Sequence, residues 1–106
     1  MDVRLKKRSD FDKVFKNGKR AYGKYLMIVY APAKELKIGY SVGKKHGGAV
    51  VRNRIKRLLR AIMRTKVPKI NGNYHFVIVP KAADEYTFER FERDIDITLA
   101  KEKLLG

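Results

Sequence analysis

The stretch Arg52-Asn53-Arg54-Ile55-Lys56-Arg57-Leu58-Leu59-Arg60 packs five cations and one carboxamide into nine residues. At 100° per residue, Val51, Ile55, Leu58, Leu59, Ile62 and Met63 form one apolar stripe of a helix. Asn53, Lys56, Arg57, Arg60 and Arg64 project opposite it, and Arg52 and Arg54 flank the helix start. A guanidinium fork matches two oxygens of a phosphate. The free N–H groups at a helix start are partly positive and prefer acidic neighbours, so cations there cost a few tenths of a kcal/mol each. A phosphate docked at the start would accept from both and reverse that cost. Just upstream, Gly43-Lys44-Lys45-His46-Gly47-Gly48 is a loop in which the glycines allow sharp turns and Lys44 and Lys45 add phosphate contacts. The chemistry these residues suit is phosphate binding. A merely solvated helix face, the usual fate of a charge run, does not explain cations placed against their own helix.

Other chemistries fit poorly. Gly39-Tyr40-Ser41-Val42-Gly43-Lys44-Lys45 resembles a nucleotide-binding loop, but three residues separate the glycines where four are needed, and Lys45 stands where Ser or Thr should hold magnesium. Without cysteine there is no disulfide, thiolate metal site or Cys nucleophile. His46 and His75 have no carboxylate near in sequence, and His75 reads as a surface or edge residue of a strand. Glu85, Glu89, Glu92 and Asp96 read as a solvated helix face. No nucleophile–base pair or paired-acid site stands out, so the chain alone does not look like a catalyst. Phe11, Phe15 and Tyr30 stay open between two roles. Aromatics at such spacing are commonly core, and they also suit a surface on which single-stranded RNA bases stack.

The charge distribution favours nucleic acid as the partner. The chain has 106 residues, 26 Lys and Arg, 11 Asp and Glu and a formal charge of +15. Residues 37–83 hold twelve of the basic side chains and no acidic one, whereas residues 84–106 are net acidic. Solubility alone would intersperse the signs, while an acid-free stretch of this length repels itself unless a polyanion neutralises it. The length is that of one domain, residues 1–106. The longest apolar run, Tyr25 to Ala33, is far short of the ~20 residues of a membrane span. Met1 to Lys6 shows no apolar signal region. The expectation is a soluble, cytoplasmic, RNA-binding protein without a membrane or small-molecule partner.

The elements that must carry these residues follow from pattern. Ser9 before Asp10-Phe11-Asp12 reads as an N-cap and Gly18 as a stop, giving a helix at about 10–17. Tyr25–Tyr30 is a strand ended at Pro32. Leu36–Val42 alternates, with Leu36, Ile38, Tyr40 and Val42 on the core face. Pro32-Ala33-Lys34-Glu35 reads as a hairpin joining these two strands. The basic helix spans about 50–65, Tyr74–Val79 is a further strand, and a last helix runs from an N-cap at Thr87 to Leu104 with Phe88, Phe91, Ile95 and Leu99 on one face. With a short extra strand near Arg20–Tyr22 the order is α-β-β-β-α-β-α, an α+β sandwich with helices against one sheet.

Lys44-Lys45-His46-Gly47-Gly48-Ala49-Val50-Val51-Arg52-Asn53-Arg54-Ile55-Lys56-Arg57-Leu58-Leu59-Arg60 resembles the "RNR" signature of the bacterial ribonuclease P protein subunit. Leu5-Lys6-Lys7 and Asp10–Gly18 resemble that family's first helix, Ile38–Val42 its central strand, and Phe76–Val79 and the last helix follow in the family's order. Ala61 after the last Arg of the motif and the order Pro80-Lys81 depart from the family pattern without removing a basic contact. The resemblance implies a two-layer sandwich with a four-stranded mixed sheet and a left-handed βαβ crossover, of ribosomal-protein type. It implies a protein that binds the catalytic ribonuclease P RNA and the single-stranded 5′ leader of precursor tRNA. The RNA performs the magnesium-assisted hydrolysis, holds most of the Mg2+, and needs less of it with the protein present. Carried over, Lys44, Lys45, Arg52, Asn53, Arg54, Lys56, Arg57 and Arg60 contact the RNA, and Phe11, Phe15, Tyr30, Ser41 and Lys45 line the leader cleft. A structural RNA-binding protein of ribosomal type is the alternative.

Overall fold

The computed structural model describes residues 3–106; Met1 and Asp2, the start of the segment read for a signal, lie outside it. The elements are α1 (Arg8–Asn17), β1 (Lys19–Tyr22), β2 (Leu26–Pro32), β3 (Lys37–Tyr40), α2 (Ala49–Lys66), β4 (Tyr74–Pro80) and α3 (Phe88–Lys101). Short 3-10 turns at Lys44–His46 and Val67–Lys69 bracket α2. The α+β class, the mixed four-stranded sheet and the order α-β-β-β-α-β-α are as expected.

The sheet order is β1-β2-β4-β3. β4 pairs antiparallel with β2 from Leu26↔Pro80 to Pro32↔Tyr74 and parallel with β3 from Lys37↔His75 to Tyr40↔Ile78. The expected hairpin between β2 and β3 is therefore wrong, because β4 lies between them. β2 and β4 are each buried on both faces, through Ile28, Val29 and Tyr30 and through Phe76, Val77 and Ile78. Two such strands bury most when they occupy the sheet centre side by side. Four-residue β3 is left outside β4, joined to it by the crossover through α2. Its free edge is covered by the N-terminal segment, where the Leu5 N–H donates to the Ile38 carbonyl at 2.9 Å and the Ile38 N–H to that of Val3 at 2.6 Å.

That docking also shifts the first helix. The Asp10 and Phe11 N–H groups both donate to the Lys7 carbonyl, at 3.0 and 3.2 Å. Lys7 is thus the N-cap and Ser9, expected there, lies inside the helix. Gly18 does end α1, in an extended conformation. It is needed for close approach, since a Cβ there would run into the Val14 carbonyl and lie 2.9 Å from that of Tyr30.

The main core lies between the sheet and the pair α2 and α3, around Phe76, Phe91, Ile55, Leu59, Ile62 and Ile95. A smaller cluster on the other face sets Leu5 and Val14 against Val29 and Val77, with Phe11, Phe15, Met27 and Val79 at its margin. Helix α1 thus covers the far face of the sheet.

Three carboxylates of the acidic C-terminal quarter lock α3 in place. Asp94 is buried and accepts the backbone N–H groups of Lys24, Tyr25 and Leu26 at 2.9, 2.8 and 3.0 Å, tying α3 to the turn between β1 and β2. Asp96 accepts the buried Lys66 ammonium at 2.7 Å, with Glu92 at 3.8 Å. Glu92 and Asp96 therefore clamp α2 to α3, a duty beyond the solvated face expected of them. Thr87 caps α3 as expected, its hydroxyl oxygen accepting from the Arg90 N–H. No helix among the described residues is long and apolar enough to cross a membrane.

Candidate nucleic-acid interface

The loop before α2 is held by a histidine. The Gly43 N–H donates to His46 Nδ1 at 3.0 Å, and Nε2 lies 2.6 Å from the Pro80 carbonyl at the end of β4. An accepting Nδ1 leaves the proton on Nε2, which donates to Pro80. His46 is buried with its ring centroid 6.3 Å from that of Tyr86, so it is a structural pin. Gly47 follows with φ 129°, where a side chain is strained and a Cβ would sit 3.0 Å from that of Val51. The pin and the turn fix the exposed Lys44 and Lys45 beside the start of α2.

The stripe of α2 is seated through Ile55, Leu59, Ile62 and Met63. Its first turn deviates, because Val51 and Val50 are 39% and 82% exposed. Asn53, Arg54, Arg57, Arg60 and Arg64 are exposed, and Arg52 and Lys56 partly so. No side chain caps the helix start, and its first turn holds no acidic residue. Among the described residues, Lys44, Lys45, Arg52, Arg54, Lys56, Arg57 and Arg60 form no ion pair, and the Arg52 Nε is buried without a hydrogen-bond partner. Lys66 shows the contrast, since the one buried cation of this helix is the one given carboxylates.

On the α1 face, Phe11 rests on Gly39 of β3. A Cβ at Gly39 would meet the Phe11 ring, at 2.6 Å from Cε1 and closer still to Cζ. Alternation in β3 had already put Gly39 opposite the core face, but its role as a ring seat depends on α1 lying there. Phe11 and Phe15 are both half-exposed. A depression of about 360 Å³ at the β3 edge is lined by Phe11, Gly39 and Tyr40 together with Lys56 and Arg60 of α2 and with Arg4 and Lys6. The aromatic side of α1 and the basic side of α2 therefore meet at one edge.

Tyr30 does not join them. Val29 faces α1, so Tyr30, the next residue, faces α3. Its ring is buried and edge-on to Tyr74 at 5.6 Å, and its hydroxyl donates to Glu102 at 2.5 Å. Burial and that carboxylate push its phenol well above the ordinary range. The Tyr30 bond, with Lys19 3.1 Å away, holds the Glu102 carboxyl below its usual value. Tyr30 as part of one cleft with Phe11 and Phe15 is thus corrected: it belongs to the opposite face, and Val29 and Met27 are the β2 residues beside the phenylalanines. The Ser41 N–H donates to the Ile78 carbonyl at 2.9 Å, and Lys45 stands exposed on the following turn. Neither lines the depression that holds Phe11. Tyr40 does, and burial pushes its phenol up to about 12 against the opposing pull of Arg60; like any tyrosine it is a neutral donor at physiological pH.

Known proteins are similar to this chain in sequence and in fold. The family model for ribonuclease P matches residues 1–103. The ribonuclease P protein component of Finegoldia magna is 39% identical over 92 residues, which span 85% of this chain and 81% of that one. The protein of the same name from Natranaerobius thermophilus is 36% identical over 107 residues, covering 97% and 92% of the two chains. Among solved structures, the Staphylococcus aureus RNase P protein superposes with a TM-score of 0.88 over the whole of both chains at 24% identity, which speaks for the fold. The Thermotoga maritima RNase P protein gives 0.81 at 24% identity, covering 97% and 98%. With nearly its full length matched by the family model, and with relatives 36% and 39% identical over most of both chains, the chain belongs to the ribonuclease P protein family, whose members are the protein subunits of this endoribonuclease.

Proposed function

We propose that the chain binds the catalytic RNA of ribonuclease P through Lys44, Lys45, Arg52, Asn53, Arg54, Lys56, Arg57 and Arg60. It holds the single-stranded 5′ leader of precursor tRNA against Phe11 and Phe15, with Ser41 and Lys45 further along the same β3–loop edge, so that the leader is removed in the cytoplasm during tRNA maturation. The observation that carries this is a run of cations on α2, without ion pairs among the described residues, that ends at the same depression as a half-exposed phenylalanine. Phosphates suit the first, and unstacked bases suit the second.

The basic face does not fit Mg2+, which takes carboxylate, carbonyl and water oxygens. Lys44 through Lys66 contains no carboxylate. Magnesium therefore belongs to the RNA in this proposal, and so does the hydrolysis. The protein's part is electrostatic and positional. Bringing a leader against a folded RNA joins two polyanions, and a +15 chain lowers that cost, so less divalent ion suffices and precursor binds better than mature tRNA.

The test is 5′ cleavage of a precursor tRNA at low magnesium by bacterial ribonuclease P RNA alone, by the chain alone and by both. Correct cleavage by the pair alone is expected. An inactive pair, with the RNA active at high magnesium and the chain folded, overturns the proposal in favour of a structural RNA-binding role. Cleavage by the chain alone overturns the division of labour. In the active pair, Phe15→Ala weakens binding of precursor more than of mature tRNA; an equal effect on both removes Phe15 from the leader site.

A further inference from the structure

Beyond the β3 edge lies a second, larger groove of about 540 Å³ on the α2 side of the sheet. Ile38, Tyr40, Met63 and Val67 give it an apolar floor and wall, and Arg60 and Arg64, one turn apart on α2, stand over it. Neither arginine forms an ion pair among the described residues. The groove adjoins the Phe11 depression, since Arg4, Tyr40 and Arg60 line both. Gly39 faces Phe11 while Ile38 and Tyr40 face α2, so β3 is a ridge with an apolar surface and a cation on each side.

We propose that this groove is a second leader subsite: the single strand lying on Phe11 continues over the Tyr40–Arg60 saddle and places one further unpaired nucleotide in it, base on the apolar floor and phosphate on Arg64. The proposal rests on the leader reading above and extends it. The volume lies in the range of small-ligand sites, and the composition, mostly apolar with a few fixed polar groups, is that of a site for a flat partly apolar ring. The Tyr40 hydroxyl is a neutral donor at the saddle, suited to a base edge or a phosphate oxygen. A purely apolar occupant would leave Arg64 unused, and an acidic peptide would leave the apolar floor unused. A nucleotide uses both. The strand is the leader because the groove adjoins the depression that holds Phe11.

The test uses the holoenzyme and precursors whose leaders grow one nucleotide at a time, each with 2-aminopurine at its 5′ end. In the wild type, affinity rises in a last step of about tenfold when the leader reaches the groove, the size of one stacked base. At that length 2-aminopurine fluorescence changes on binding. In Arg64→Ala this last step and the fluorescence change both disappear, while the steps given by shorter leaders remain. Equal weakening at all lengths, mature tRNA included, overturns the proposal and assigns Arg64 to the catalytic RNA. So does a wild type without a last step. If leaders of every length add nothing, the Phe11 reading has failed as well, which separates the two failures.

Discussion

Replacing Arg54 and Arg57 together by Ala tests whether α2 meets phosphates. Both side chains are exposed and have no ion pair among the described residues, so no charge partner within the protein is lost. Both lie within Ala49–Lys66, where alanine is the best helix former, and self-repulsion falls with the charge. Stability should stay within about 0.5 kcal/mol of the wild type or rise slightly. Binding to ribonuclease P RNA should respond quite differently. Each neutralised phosphate contributes about 0.9 to the slope of log K against log salt for duplex and about 0.7 for single strands, so losing two flattens it by about 1.4–1.8. Between 50 and 200 mM salt the wild-type affinity should then fall about seven- to twelvefold more than the variant's. The assay is filter binding at five salt concentrations and constant magnesium, with thermal melts alongside. Lys34→Ala, an exposed cation in the connection between β2 and β3, serves as the control with an unchanged slope. Parallel lines for the double variant and the wild type would refute the phosphate role, since a lost phosphate contact must release fewer counterions.

Three further substitutions separate scaffold from site. Tyr30→Phe loses the bond to the Glu102 carboxylate and should cost about 2 kcal/mol in urea unfolding while leaving the ratio of precursor to mature tRNA affinity unchanged. Because the Glu102 carboxyl is held below its value of 4.5, its contribution is complete above that pH and is lost on acidification. The stability of Tyr30→Phe should accordingly fall less steeply than the wild type's below about pH 4.5; an identical acid profile would remove Tyr30 as the cause. Asp94→Ala strips three N–H groups of a buried carboxylate acceptor and should cost about 3 kcal/mol, seen as a lower urea midpoint with unaltered slope. A loss under 1 kcal/mol would mean that water replaces the carboxylate. Gly39→Ala pushes the Phe11 ring from its seat, with an overpacking cost of about 1–3 kcal/mol. It should lower the precursor-to-mature affinity ratio severalfold in the holoenzyme, and an unchanged ratio would take Phe11 out of the leader site.

The basic helix could be read along the chain because its signal is additive. Twelve cations without an acid repel wherever they fold, and an apolar stripe at helical period says which side they leave exposed. Face assignments in the sheet are a different problem. Tyr25–Tyr30 is apolar at every position, so alternation says that Val29 and Tyr30 point apart without saying which one meets α1. That is decided by the register with β4 and by the docking of Leu5 and Val14, contacts far away in sequence. The false hairpin has the same root, since it places β2 by its nearest neighbours in the chain while β4, more than forty residues on, takes the central place beside it. Tyr30 is carried over by resemblance, without a register to say which face it takes. Asp94 and Lys66 were hidden for a similar reason. Each looks like its surface neighbours until the turn at Lys24–Leu26 or the Glu92–Asp96 face arrives from another element. A charge surplus acts whatever lies beside it, whereas a buried charge has meaning only with its partner. An RNA-binding face made of surplus charge is thus the part of such a protein most open to local reading, and a cleft shared by α1, β3 and α2 is the part most dependent on the finished fold.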